Sequence, residues 1–86
     1  MPQTNLAEAR RRAKSLGVIV KPSTKKYKKL DVYDKDGEFL VSIGDIRYED
    51  FLIHKDPERR RRYKQRHEKY RHTPGTASFY ADKILW

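Results

Sequence analysis

Three histidines, His54, His67 and His72, and twelve acidic side chains are the groups in this 86-residue chain that could hold a metal or move a proton. Their spacing supports neither. His67 and His72 are five positions apart, which puts them on different faces of a helix, whereas a helical zinc pair needs i, i+4 spacing. Asp34, Asp36 and Glu38 begin like a calcium loop. That loop needs glycine at its sixth position and glutamate at its twelfth, where this chain has Phe39 and Asp45. No phosphate-binding glycine loop, dinucleotide motif or nucleophile elbow occurs. His67 could serve as the general base of a nuclease, but between Tyr63 and Tyr70 on a helix face it reads as a packing or hydrogen-bonding residue. Cysteine is absent, which excludes disulfides and thiolate zinc sites. No catalytic residue, metal, cofactor or small-molecule substrate is expected, and the chain reads as non-enzymatic.

The remaining chemistry is electrostatic. Residues 1–29 carry nine Lys/Arg against one acid (+8), residues 30–54 two against seven (−5), and residues 55–72 nine against three (+6). Two basic segments thus flank an acidic middle. A polyanion such as nucleic acid is the natural partner of the basic parts, unless the acidic middle neutralises its own neighbours. The cations expected to meet phosphates or an acidic surface are Arg10, Arg11 and Arg12, then Arg59, Arg60, Arg61 and Arg62, with Arg66 and Arg71. A face so uniformly cationic suits backbone contact rather than base reading, which mixes Asn, Gln and Ser among the arginines.

These residues need elements to position them. Asp56, Pro57 and Glu58 form a helix start, an N-cap carboxylate, a first-turn proline and an acid at the positive end of the dipole. The helix is expected over 57–71, docking through a stripe of Tyr63, His67 and Tyr70 while its cations face outward. Asn5 with Glu8 caps an earlier helix over 6–16, with Leu6, Ala9, Ala13 and Leu16 inward and Gly17 closing it. Val18–Val20 is β-branched and reads as a strand, interrupted by Lys21-Pro22-Ser23-Thr24. Lys25 to Lys29, four lysines around Tyr27, reads either as a lysine-protected edge strand or as a phosphate clamp with a stacking ring.

Leu30–Tyr33 and Phe39–Ile43 alternate on both sides of a turn containing Asp36-Gly37, a hairpin with Leu30, Val32, Phe39, Val41 and Ile43 on one face. Residues 46–54 fit a helical turn or a third strand, with Ile46, Phe51 and Ile53 inward in either case. Thr73-Pro74-Gly75 breaks the basic helix, and Thr76 caps a last one over 77–85. Trp86 is expected in the core rather than offered to a partner. The sum is an α+β single domain over 1–86: N-terminal helix, a β region over 18–43 with a hairpin or three-stranded antiparallel sheet, long basic helix, short C-terminal helix. An apolar fraction of 36% makes the core small. No bilayer-spanning run or secretory signal is visible, so a membrane is not an expected partner.

Phe51-Leu52-Ile53-His54-Lys55-Asp56-Pro57-Glu58-Arg59, then Arg62-Tyr63, Arg66-His67, Thr76-Ala77, Phe79-Tyr80 and Ile84-Leu85-Trp86, carry a resemblance over about residues 44–86. The pattern resembles a family of small basic proteins encoded by large DNA viruses of eukaryotes, with similar segments in tailed phages, mostly without assigned function. The resemblance implies a viral origin and a virion context, and it supplies no catalytic residues. The expected function is therefore a small basic viral structural protein, a minor capsid or internal component that bridges shell proteins or contacts packaged nucleic acid. Its partners would be capsid proteins and, non-specifically through phosphates, nucleic acid, with a location in the virion and in the host cell interior during assembly. The alternative is a non-virion nucleic-acid-binding accessory protein of viral replication or transcription.

Overall fold

In the computed structural model, which describes residues 5–86, each helix expected from a cap begins at that cap. Asn5 Oδ1 accepts from the Glu8 amide (3.1 Å) and starts α1 (Leu6–Ser15). Asp56 Oδ1 accepts from Glu58 N (3.0 Å) and starts α3 (Pro57–Arg66). Thr76 Oγ1 accepts from Phe79 N (3.2 Å) and starts α4 (Ala77–Ile84). Each side chain satisfies an amide that the first turn leaves unpaired.

Between them lie β1 (Ile19–Pro22), β2 (Lys28–Tyr33), β3 (Phe39–Asp45) and the single turn α2 (Phe51–His54). The strands form one antiparallel sheet in the order β1-β2-β3. The fold is thus the expected α+β domain with three strands, and residues 46–54 resolve as a turn followed by α2. The β1 strand continues through Pro22, opposite Leu30, rather than stopping before it. An edge strand tolerates a residue with no amide hydrogen. Lys28 and Lys29 fall on the central strand, so the protected-edge reading of that lysine cluster is wrong.

Val20, Leu30, Val32 and Ile43 point to one side of the sheet, where Ala9 and Ala13 of α1 and Ala81 and Ile84 of α4 close over them with Leu85. Small alanines on both helices let the backbones come close to the strands. Phe39 departs from expectation. Leu30 pairs Ile43 and Val32 pairs Val41, but a bulge leaves Leu40 without an opposite residue and sets Phe39 against Tyr33. One extra residue reverses which face a side chain takes. Phe39 therefore lies on the outer face, edge-on to Tyr33 (5.9 Å) and under the Lys25 ammonium (3.7 Å). Ile46 is also outside the core, 41% exposed, because β3 ends at Asp45 and the chain turns there.

Candidate functional site

α3 has no buried residue, so it is held from the side, and the fastenings fall at helical spacing. Arg60 Nε donates to the Trp86 carbonyl oxygen (2.6 Å). The Tyr63 ring stacks on Trp86 (centroids 4.0 Å, planes 3° apart). Lys64 Nζ donates to Asp82 Oδ1 (2.8 Å). His67 stacks on Tyr63 (4.2 Å, 24°). Trp86 itself lies against His54 (5.2 Å). No direct ring contact joins His67 to Trp86 among the described residues, so they take opposite faces of Tyr63. The result is a column, His54–Trp86–Tyr63–His67, which pins Trp86 to its own domain, half-buried against the edge of the core rather than within it.

Two expectations for this helix fail. It ends at Arg66, not at residue 71, and residues 67–72 form irregular turns. Tyr70 therefore leaves the stripe and is 55% exposed. The docking stripe also uses cations, Arg60 and Lys64, and not tyrosines alone. Arg71 is withdrawn as well: it pairs with Glu68 (2.7 Å) and with Asp82 Oδ2 (3.5 Å).

The other predicted contact residues divide by what holds them. Arg10 and Arg66 have no carboxylate partner among the described residues. Arg11 pairs with Glu8, Arg59 with Glu49 (3.1 Å), and Arg61 and Arg62 with Glu58, the latter at 3.4 Å. Exposed pairs of this kind are weak and exchange readily for another anion. Arg12 pairs with the same Glu8 (3.3 Å) and is largely covered. The acidic middle is neutralised internally in part, at Asp31, Asp45, Glu49 and Asp50. Lys29 pairs with Asp50 (2.7 Å), Arg47 with Asp45 (2.6 Å), and Lys25 approaches Asp31 (3.9 Å). Tyr27 is likewise engaged, with the Arg47 guanidinium 4.4 Å over its ring. That favours a structural role over base stacking.

A groove of about 570 Å³ opens beside α3. Arg59, Arg62, Tyr63, Arg66 and His67, one face of the helix, form a wall. The end of the hairpin and the loop before α2 supply Lys28 and Tyr48, and the buried core residues Ile43, Ala81 and Leu85 lie beneath, with the half-buried Trp86 beside them. Gly44 sets how closely Leu85 and the strand approach: at φ +77°, a Cβ there would stand 2.9 Å from Leu85 Cδ1 and 3.1 Å from Lys29 Cβ. The expected contact residues do not include Tyr48, and Lys28 is named only within the lysine cluster read as an edge strand or a phosphate clamp. Tyr48 follows a turn that only the end of β3 defines, and Lys28 was one of four similar lysines. A second groove, about 410 Å³, brings Arg10 together with Lys14 and Lys35 around Ile19.

The field of the site keeps its aromatics neutral. Burial and the neighbouring Arg66 guanidinium lower the His67 pKa from its ordinary 6.5 against the pull of Asp82. Burial lowers His54 too, helped by Arg59. His54 Nδ1 accepts from the Asp56 amide (3.0 Å), which places its proton on Nε2. Burial, together with the Asp82 carboxylate, pushes the Tyr63 hydroxyl up to about 12. Asp82 stays ionised although burial opposes it, because Lys64, Arg71 and Lys83 surround it. Among the described residues no three His, Asp or Glu side chains gather where a metal ion could sit, and no helix is long and apolar enough to cross a membrane.

A family model described as a family of unknown function (DUF5754) matches residues 18–67, from the start of the sheet through all of α3. No curated protein and no solved structure matches the chain.

Proposed function

The chain belongs to the family of unknown function DUF5754, so its role rests on its own residues, and we propose that it is a small basic structural component of a virus particle. It bridges shell proteins and contacts packaged nucleic acid through phosphates, acting by binding rather than by catalysis. The observation that carries the nucleic-acid part is the wall of α3. Arg66 there has no carboxylate partner among the described residues, and Arg62 shares only the half-exposed Glu58. Such guanidiniums exchange a weak surface partner for phosphate, with release of the counterions condensed on the polymer. The internal ion pairs leave the net charge at +9, so the molecule as a whole is drawn to polyanions. The particle part is supported by the resemblance of residues 44–86 to small basic viral proteins.

The experiment is binding to duplex DNA across a salt series. Affinity falls linearly on logarithmic axes, and Arg62→Gln with Arg66→Gln lowers the slope by about 2, roughly one per lost phosphate contact. Arg60→Gln leaves the slope unchanged, because its guanidinium is held by the Trp86 carbonyl. A flat salt response in the unmodified protein sinks the nucleic-acid reading. Defined copy number in purified particles supports the structural role. Absence from particles with phosphate binding intact replaces it with an accessory role in viral replication or transcription.

A further inference from the structure

Phosphate contact accounts for the cations of the main groove but not for its rings. Among the described residues Tyr48, 69% exposed, is the most exposed large hydrophobic side chain, and its ring neither stacks on another aromatic nor lies under a cation, with only an electrostatic link to Arg47. It lines the same groove as Tyr63 and His67, the open end of the aromatic column. A ring left in water beside a cationic wall is the arrangement that holds an unpaired base, because every base has a face to stack and stacking tolerates sequence. Volume points the same way. About 570 Å³ lies within the roughly 300–1,000 Å³ of small-molecule sites. That suits a nucleotide or two, and the faces of a base still stacked in a duplex are covered by its neighbours, so only an unpaired base can lie on Tyr48.

We propose that this groove binds single-stranded nucleic acid, with an unpaired base packed against Tyr48 and the His67 end of the column and the flanking phosphates on Lys28, Arg62 and Arg66. The site rests on the nucleic-acid reading above and narrows it to a strand form. Arg66 has no carboxylate partner among the described residues, Lys28 stands opposite Asp45 without a close ion pair, and the acids at the rim, Asp45 and Glu49, are turned to Arg47 and Arg59. The groove thus presents positive charge beside exposed aromatic surface, matching a polymer with charged backbone and flat bases.

Trp86 is the chain's only tryptophan and lines the groove, so its fluorescence reports occupancy. The probes are a short oligothymidylate, an abasic oligonucleotide of equal length, a duplex of equal length and polyglutamate. Oligothymidylate is expected to change the Trp86 signal and to bind roughly tenfold tighter than the abasic strand. Tyr48→Ala, at an exposed position that leaves the core intact, removes that advantage while abasic and duplex binding stay as they were. Arg66→Gln weakens all three nucleic acids. Equal affinity for oligothymidylate and the abasic strand, or an unchanged oligothymidylate affinity in Tyr48→Ala, overturns the inference. So does polyglutamate competing as well as oligothymidylate at equal charge. Retained salt-dependent duplex binding in those cases leaves the phosphate reading standing, whereas no binding to any nucleic acid removes both.

Discussion

Asp82, 2% exposed and closed in by cations, illustrates what single residues do in this protein. Lys64 lies at 2.8 Å and Arg71 and Lys83 at 3.5 Å, so one carboxylate joins α3, the turns after it and α4. Removing one member of such a group leaves charges covered without a partner. Asp82→Ala is therefore expected to cost about 2–4 kcal/mol, measured by urea unfolding, and to loosen the stack of Tyr63 on Trp86 seen in near-ultraviolet circular dichroism. A cost below about 0.5 kcal/mol, typical of surface changes, would mean Lys64 and Arg71 find water instead. The contrast with the helix caps is instructive. Asn5, Asp56 and Thr76 each act on an amide two or three residues away, so type and position in the sequence suffice to identify them. Lys64 meets a residue eighteen positions away, and nothing local distinguishes it from the other cations of α3.

At the scale of elements, the hairpin and three helix starts were legible while the ends and faces were not. The basic helix was expected to continue to residue 71 because nothing in its composition stops it. It ends at Arg66, where His67 turns onto Tyr63 and Arg71 folds back to Asp82. Tertiary bonds outweigh the small propensity of one more helical turn. The bulge at Leu40 similarly moves Phe39 to the outer face, and no glycine announces it. Gly44 makes the element-scale prediction. A side chain there adopts a left-handed conformation that L-residues resist and meets Leu85 and Lys29 at once. Gly44→Ala should destabilise the fold by about 2–4 kcal/mol, read as a lower melting temperature with reduced Trp86 quenching by oligothymidylate. Full retention of stability would show that β3 and α4 can move apart.

For the whole molecule, the aromatic column makes stability depend on pH in a window separate from the carboxylates. His67 faces Arg66 and Asp82, and His54 faces Arg59, Asp56, Glu49 and Asp50; both have folded pKa values below the 6.5 of an unfolded histidine. The unfolded chain then binds more protons than the folded one as pH falls through 6.5, so stability drops there and levels off below the folded values. Protonating His54 also forfeits its bond from the Asp56 amide, which ties α2 to α3. The melting temperature at pH 5.5 should be lower than at pH 7.5, with part of the drop abolished in His67→Gln. Carboxylates such as Asp82, below their ordinary 3.8, lose their contribution only at more acid pH. An unchanged melting temperature between those two pH values counts against a buried neutral column. The sequence by itself determined the fold class, the helix starts, the hairpin and the surplus of cations. Each follows from neighbours along the chain or from composition, which need no knowledge of folding. The tertiary structure alone decided which cations are free, that Trp86 lies under Tyr63, and that Lys28, Tyr48 and Arg66 share one groove. Those facts depend on where distant segments meet, and that is settled by closure of the core and by buried charges seeking partners rather than by any local pattern.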